Sequence, residues 1–146
     1  MMKHTILILF LFLSLLCHGQ SYKFFTTDRE LSSSLINKIY QDRNGMIWIA
    51  TEDGLNRYDG AKFITYKHDP ENEYSLCHNY VRVLYEDSKG RLFVGTYNGI
   101  QLYDPETDSF SARAQWEDGK TFDSNIMSIL ERRNGEIWVS GTTCVP

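Results

Sequence analysis

Cysteine and proline are both scarce in this chain. Its 146 residues hold three of each, and the cysteines Cys17, Cys77 and Cys144 lie far apart. So few and so scattered cysteines exclude the dense disulfide framework of small secreted domains. A single bridge between Cys77 and Cys144 remains an open alternative, because an oxidising compartment would permit it.

An excess of positive charge is also missing. The net charge is −4 and the charged residues are dispersed, which argues against a nucleic-acid surface in this segment. The sequence has no phosphate-binding glycine loop and no nucleophile elbow. His68, Cys77 and His78 lie near one another, but their spacing matches no compact zinc pattern. We therefore predict no catalytic residue, no cofactor and no metal site.

Long apolar runs are absent after residue 16. The run from Ile6 to Leu16 follows a short basic start and precedes small residues at Cys17 and Gly19. This layout predicts a secretory signal peptide over residues 1–19. A retained membrane anchor is one alternative, although a span needs roughly 20 apolar residues. Lipid attachment at Cys17 is another. We expect the mature chain to be periplasmic or otherwise extracytoplasmic.

What the chain does contain is a recurring unit of 45 residues, marked by Gly45, Gly90 and Gly135. A fixed period of this length is typical of solenoids and propellers. The units are preceded by an expected lead-in strand over 20–30. Their predicted bounds are 31–73 for the first repeat, 74–118 for the second and 119–146 for a partial third.

Each complete repeat is predicted to form four short antiparallel strands. In the second repeat they are expected at 81–85, 92–96, 100–104 and 109–113, separated by glycine, asparagine and proline turns. Four strands in a repeat of this length make the blade of a β-propeller, and helical periodicity is absent. The predicted fold is all-β, an incomplete propeller of about two and a half blades.

Large aromatic residues occupy one equivalent position in all three repeats, at Trp48, Phe93 and Trp138. We predict that they pack between adjacent blades; stacking on a sugar is the alternative.

The third repeat departs from the others near the end of the sequence, where Cys144 replaces the glycine seen at Gly54 and Gly99. We interpret residues 141–146 as a fragment end or a frameshift scar. Because an open stack of blades leaves one face and one strand edge uncovered, we expect this chain alone to be marginally stable or prone to aggregation.

Turns on one face of a propeller are the natural place for a ligand site, because loops can vary on a rigid scaffold. The turns between second and third strands hold Glu52 and Asp53 in one repeat, and Tyr97 and Asn98 in the next. We predict these four residues as ligand-binding candidates, together with the inter-blade loop 69–79. Carboxylate, amide and phenol groups suit a hydroxyl-rich ligand.

The repeats resemble a known family. The segments that carry the resemblance are 79–87, 93–96, 98–100 and 103–104 in the second repeat, and 48–51 and 54–59 in the first. They are similar to the two-component regulator propeller repeat, and the likeness covers roughly residues 31–141. The resemblance implies the periplasmic sensor region of a bacterial hybrid histidine kinase, whose ligands are typically carbohydrate breakdown products.

The resemblance also implies a homodimeric parent protein that reaches the membrane through a region downstream of these residues. For this chain it implies ligand sensing, with an oligosaccharide as the expected partner, and no enzymatic activity. Two alternatives stay open: a truncated secreted propeller enzyme, such as a lyase or glycosidase, and a free-standing periplasmic binding or scaffold propeller. The adjacent Glu52 and Asp53 do not by themselves provide carboxylates on opposite sides of a scissile bond.

Overall fold

The structure is a computed structural model, and it describes residues 22–26, 30–112, 114, 121 and 123–143. These residues form ten β-strands, so the predicted all-β class is confirmed. The strands are β1 (Ile36–Gln41), β2 (Ile47–Thr51), β3 (Gly54–Tyr58), β4 (Phe63–Tyr66), β5 (Val81–Glu86), β6 (Leu92–Thr96), β7 (Gly99–Asp104), β8 (Ser109–Phe110), β9 (Ser124–Glu131) and β10 (Ile137–Thr143).

The strands form three antiparallel sheets in chain order. Blade 1 is the four-stranded sheet β1-β2-β3-β4, blade 2 is β5-β6-β7-β8, and blade 3 is the pair β9-β10. This arrangement is the predicted incomplete propeller of two and a half blades. The fourth strand of blade 2, expected to reach residue 113, is only the pair Ser109–Phe110.

The turn after the first strand of each blade has the same construction. Gly45, Gly90 and Gly135 have φ angles of 84°, 83° and 86°, a left-handed conformation that glycine adopts without steric cost. In blade 1 the Asp42 carboxylate accepts hydrogen bonds from the backbone N–H groups of Asn44 and Met46 at 2.9 and 3.0 Å. Asp87 makes the equivalent bonds in blade 2, which explains why aspartate recurs at the same distance before the glycine in these two blades; blade 3 has Arg132 there.

Each blade has two apolar faces, and the period places equivalent residues on each. We call the face that points to the next blade the front face, and the opposite one the rear face. Front-face positions are Tyr40 and Trp48 in blade 1, Tyr85 and Phe93 in blade 2, and Leu130 and Trp138 in blade 3. Rear-face positions are Ile39 and Ile47, then Leu84 and Leu92, then Ile129 and Ile137.

The core lies between these faces. Trp48 and Leu55 on the front face of blade 1 pack with Leu84, Leu92 and the other buried residues of blade 2. A second cluster joins Phe93 and Ile100 of blade 2 to Ile126, Ile129 and Val139 of blade 3. The predicted packing of the repeated aromatic between blades is therefore confirmed for Trp48, 1% exposed, and for Phe93.

A β-bulge recurs in the first strand of every blade. The register skips one residue at Asn37, Arg82 and Met127, again at intervals of 45. The bulged side chain is turned towards the following blade: Asn37 Nδ2 donates to the Val81 carbonyl at 2.7 Å, and Arg82 Nη1 donates to Asn125 Oδ1 at 3.2 Å. In blades 1 and 2 the bulge thus redirects one side chain into an inter-blade contact, whereas Met127 in blade 3 is 48% exposed.

Polar contacts between blades follow the same period. Arg43 Nε in the first turn of blade 1 lies 2.5 Å from Glu86 Oε1 of blade 2. The equivalent Ser88 of blade 2 donates to Glu131 of blade 3, its hydroxyl at 2.6 Å from Oε1. Blades 2 and 3 therefore each present a carboxylate to the turn of the blade before them.

A further cluster, centred on Arg57, joins blades 1 and 2. The guanidinium lies 5.6 to 5.7 Å from the ring centres of Trp48, Tyr66 and Tyr103, and its Nη1 is 2.8 Å from Asp108 Oδ1. Burial and the hydrogen bond to Asp108 raise the pKa of Tyr103 to about 12, so this phenol stays protonated and donates. Burial of Asp108 opposes its ionisation, but hydrogen bonds from both tyrosines and the charge of Arg57 outweigh it and lower the pKa of this carboxyl.

The structure bears differently on the lead-in strand, the signal peptide and Cys144 near the ends of the chain. The lead-in strand over 20–30 is wrong where it can be checked, because residues 22–26 have no strand and Glu30 lies in a turn. Phe25 instead packs its ring on Tyr58 and Phe63. The signal peptide 1–19 and Cys144 lie outside the described residues, so the cleavage site stays a prediction and a bridge between Cys77 and Cys144 stays an open alternative. Cys77 Sγ lies 3.1 Å from Thr96 Oγ1.

Candidate functional site

The candidate turns are shaped by a threonine at the end of each second strand. Thr51 Oγ1 accepts a hydrogen bond from the Asp53 N–H at 3.1 Å and donates to the Gly54 carbonyl at 2.9 Å. Thr96 makes the equivalent bonds to Asn98 and Gly99, both at 3.1 Å. The two candidate turns therefore have the same backbone hydrogen bonds. Each turn is also anchored to the core, because its threonine is fully buried.

The two acidic candidates are held by the loop between the blades. Glu52 Oε1 accepts a hydrogen bond from the Tyr80 hydroxyl at 3.1 Å. Asp53 accepts one from Asn79 Nδ2 at 3.1 Å and is paired with Lys67 Nζ at 2.6 Å. Both carboxylates therefore have specific polar partners.

An aromatic group surrounds Tyr97. Its ring centre lies 5.5 Å from that of His78 and 6.2 Å from that of Tyr80. The Tyr97 backbone N–H donates to the Tyr80 carbonyl at 2.9 Å, which fixes the turn against the loop. Tyr97 is 44% exposed, so its ring presents an apolar surface, and Tyr80 connects it to the Glu52 carboxylate. We call His78, Tyr80 and Tyr97 the aromatic shelf.

Asn98 faces a cavity beside this shelf. The cavity has a volume of about 410 Å³ and a largely polar lining. Its lining residues are His68, Asp69, Pro70, Asn72, Glu73, Ser75, Leu76, Cys77, Asn98, Gln101, Ala112 and Thr121. Most of them belong to the predicted loop 69–79, which therefore forms one wall of a concave surface next to Asn98.

The four candidates thus lie in three different surroundings. Glu52 and Tyr97 both contact Tyr80, whereas Asn98 lines the cavity and Asp53 is paired with Lys67. The two turns that hold these residues lie on the same face of the propeller, because the loop between the blades contacts both turns. The role of these four residues in ligand binding stays a prediction.

His78 has a defined protonation state in this arrangement. Its Nδ1 accepts a hydrogen bond from the Tyr80 backbone N–H at 2.9 Å, which requires an unprotonated Nδ1. Burial, followed by the nearby His68, lowers the pKa of His78 below its usual 6.5. At neutral pH the imidazole is therefore uncharged and the loop bond is intact.

Sequence reasoning missed Tyr80 and Gln101. Gln101 is 3% exposed; its Oε1 accepts from the Cys77 N–H at 2.7 Å, and its Nε2 donates to the Ser75 and Ser111 carbonyls at 3.0 and 2.8 Å. The equivalent Asn56 holds Ser32 in the same way, with its Nδ2 2.8 Å from the Ser32 hydroxyl. The sequence signal for Gln101 was an amide residue at the equivalent position of two strands, Asn56 in β3 and Gln101 in β7.

Neither a metal-binding cluster nor a membrane-spanning helix occurs among the residues that the structure describes. Within those residues no group of three or more histidine, cysteine or acidic side chains is arranged to hold a metal ion. The same residues include no helix with the length and apolar character to cross a bilayer.

The family model described as "two component regulator propeller" matches this chain twice, over residues 30–53 and 75–98. Both matches agree with the blade geometry above, since each runs from the start of a blade to its second turn. These segments are two-component regulator propeller repeats. Each matched repeat ends on a candidate turn, the first at Asp53 and the second at Asn98.

Relatives of these propeller repeats include a much longer protein. Histidine kinase P4 of Formosa agariphila is 40% identical over 73 residues, which is 47% of this chain and 5% of the kinase. The chain thus corresponds to a small part of that protein.

Solved structures with similar propeller repeats are extracellular domains. One belongs to BT3049 of B. thetaiotaomicron, named as a hybrid two component system, with a TM-score of 0.69 and 30% identity over 80% of this chain. Another belongs to BT4673 of the same organism, named as a one component system, with a TM-score of 0.66 and 25% identity over 84% of this chain. The chain covers 17% and 18% of these two domains.

Proposed function

We propose that this chain is part of the extracytoplasmic sensing propeller of a hybrid two-component regulator. The observation that carries the proposal is the pair of propeller repeats at residues 30–53 and 75–98, folded as consecutive blades. Support also comes from the extracellular domain of BT3049, a protein named as a hybrid two component system. The proposed location is the periplasm, reached through the predicted signal peptide.

The proposed ligand is derived from a carbohydrate. An exposed tyrosine ring beside a carboxylate suits a sugar, because the ring covers the apolar face of the pyranose while the carboxylate accepts hydrogen bonds from hydroxyls. Tyr97 and Glu52, which both contact Tyr80, would provide this pair, and the cavity next to Asn98 has room for further sugar hydroxyls. Hydroxyl groups would also find amide and hydroxyl partners at Asn72 and Ser75.

The proposed mechanism is a shift between two arrangements of the parent sensor. A ligand on this face would contact turns of two blades and the loop between them, and it would favour the arrangement in which these elements are held together. Only a difference in affinity between two states can transmit a signal. In the parent protein, proposed to be a homodimer, the shift would reach a kinase across the membrane.

This chain is proposed to have no catalytic role. Glu52 is bonded to Tyr80, and Asp53 is bonded to Asn79 and Lys67, an arrangement that suits recognition better than the exchange of protons with a substrate. The proposed function is therefore recognition of a ligand.

Two measurements test the proposal. The first is an immunoblot of the native cells with an antibody against residues 62–73. A membrane-associated band far larger than this chain would agree with a sensor kinase, whereas a secreted product that ends after a complete propeller would favour an enzyme or a binding protein.

The second is titration of the native protein with a panel of oligosaccharides by calorimetry. We expect Tyr97→Ala to weaken binding of the sugar that binds best by about tenfold, the effect of roughly 1.4 kcal/mol. Phe24→Ala is the matched control, because this ring is 90% exposed and its neighbour Phe25 packs at the far end of blade 1. Equal affinity of wild type and Tyr97→Ala would contradict the site.

A further inference from the structure

Arg82 lies beside the aromatic shelf, and no carboxylate of the described residues balances its charge. Its Cζ lies 5.7 Å from the ring centre of Tyr80. Its Nη1 donates to Asn125 Oδ1 at 3.2 Å, and this partner is a neutral, buried amide. The other N–H groups of the guanidinium make no hydrogen bond to the part of the chain that the structure describes. Because the side chain is only partly buried, these groups are the available donors of the shelf.

Other arginines of this chain show what a guanidinium usually contacts here. Four of those in the described segments pair with a carboxylate at 2.5 to 3.0 Å, namely Arg43, Arg57, Arg91 and Arg132. Arg133 has no such partner there, but it is exposed in the turn between β9 and β10, where water solvates its charge. A partly buried guanidinium loses some of that solvation, and an anion that contacts Arg82 would compensate for the loss.

The fold does not require a charge at this position. Arg82 is the bulged residue of blade 2, and the equivalent residues are Asn37 in blade 1 and Met127 in blade 3. The uncharged Asn37 makes the contact with the following blade through its amide, and Met127 is apolar and 48% exposed. Bulges also occur next to functional sites, where they redirect a side chain. The charge of Arg82 is therefore better explained by recognition than by blade packing.

Tyr80 connects the two charged groups of this face. Its ring lies beside the Arg82 guanidinium, its hydroxyl donates to Glu52 Oε1 at 3.1 Å, and its ring centre is 6.2 Å from that of Tyr97. These charges would orient a sugar that has an acidic group, because the guanidinium attracts the acid whereas the Glu52 carboxylate repels it. The hydroxyl groups of the same sugar would then be directed to Glu52, with the sugar ring near Tyr97.

We propose that Arg82 selects a sugar with an anionic group, a carboxylate or a sulfate, at the face formed by the candidate turns. The free N–H groups of the guanidinium bind such a group through charge-assisted hydrogen bonds, which are stronger than those between neutral partners. The proposal rests on the carbohydrate ligand proposed above and adds the chemical class of that ligand.

The test is calorimetric titration of the native protein with oligosaccharides in pairs that differ only in the anionic group. Uronic-acid oligosaccharides are paired with their methyl esters, and sulfated oligosaccharides with their desulfated forms. We expect the tightest ligand to be anionic and its neutral counterpart to bind at least about tenfold more weakly. The pair that shows this difference identifies the group as a carboxylate or a sulfate.

Substitution of Arg82 should remove the difference within that pair. Arg82→Gln should weaken the anionic sugar by at least about tenfold and change the neutral one by less than about twofold. Arg82→Lys should keep a preference for the anionic sugar at reduced affinity, because lysine has the charge but not the planar fork. Arg133→Gln is the matched control: it makes the same change in charge at an exposed turn and should bind as wild type does.

The outcomes distinguish this proposal from the proposed function. Equal affinity for the two sugars of every pair, with binding lost in Tyr97→Ala and kept in Arg82→Gln, would overturn the role of Arg82 and leave the carbohydrate site in place. An equal loss of both sugars in Arg82→Gln would also overturn it, because the residue would then only support the shelf. Circular dichroism confirms that each variant is folded. Failure of every sugar to bind would overturn both proposals.

Discussion

Individual amide side chains control how the inter-blade loop sits on the blades. Gln101 is almost fully buried and binds three backbone groups of the segments before β5 and after β8. Asn56 occupies the equivalent place in blade 1 and binds Ser32. These two amides inside the strands therefore hold the segment that precedes each blade against that blade.

Gln101→Leu should destabilise the protein by roughly 1–3 kcal/mol, because it removes the hydrogen-bond partner of the partly buried Cys77 N–H and Ser75 carbonyl. Urea unfolding followed by fluorescence measures the change. Lys62→Leu is the control, since Lys62 is exposed in a turn and its substitution should be nearly neutral. Equal stability of Gln101→Leu and wild type would show that the amide is dispensable.

His78 should make the stability depend on pH. Its pKa is lowered in the folded chain, so the unfolded chain binds the proton more readily, and this contribution to stability is complete above the usual pKa of 6.5. It should be lost as the pH falls through the lowered value. The measurement is the free energy of unfolding against pH for wild type and His78→Asn.

The difference between the two proteins should shrink as the pH drops below about 6.5, the ordinary value for histidine. The carboxylates with lowered pKa values, such as Asp108, lose their contribution only at more acidic pH and do so in both proteins. A constant difference between the two curves would contradict the role given to His78.

At the scale of elements, blades approach one another at different distances, and small residues allow the closest approach. A Cβ placed on Gly95 in β6 would lie 2.8 Å from Ile126 Cγ2 and 3.0 Å from Ile126 Cβ in β9. The equivalent residues are Ala50 in blade 1 and Ser140 in blade 3. The glycine in blade 2 is therefore required by the proximity of blade 3.

Gly95→Ala should push blade 3 away from blade 2 and destabilise the protein by roughly 1–3 kcal/mol, the usual cost of overpacking. Ser140→Ala tests the equivalent position on the uncovered front face, where we expect a change within about 0.5 kcal/mol. Thermal unfolding of both variants gives the comparison. Similar melting temperatures for the two would indicate that the blades adjust without cost.

At the scale of the whole molecule, the three blades have unequal support. Blade 2 is covered on both faces, blade 1 on its front face and blade 3 on its rear face. Blade 3 is also a sheet of two strands rather than four. Local stability follows the number of buried contacts and protected backbone hydrogen bonds.

Hydrogen exchange should therefore be slowest in β5, β6 and β7, and fastest among the strands in β10. The measurement is mass spectrometry of peptides after exchange at neutral pH, at a protein concentration where the chain is monomeric. Uniform exchange across the three blades would mean that the stack unfolds as one unit.

The sequence by itself determined the blades. The period of 45, the alternation within β5 and β6 and the turn glycines are local patterns, and local hydrogen bonds such as those of Asp42 enforce them. For this reason the strands, their order and the place of Trp48 between blades were all predictable. The lead-in strand was not, because Phe25 is positioned by contacts with distant Tyr58 and Phe63 rather than by its neighbours.

Only the tertiary structure decided which side chains meet. Tyr80 reaches Glu52 across 28 residues, and Gln101 reaches Ser75 across 26. Such contacts depend on how the inter-blade loop folds back over two turns, and no short-range pattern specifies that path. The sequence located the candidate turns because they recur with the period, whereas the aromatic shelf and the cavity beside it exist only because two blades are packed face to face.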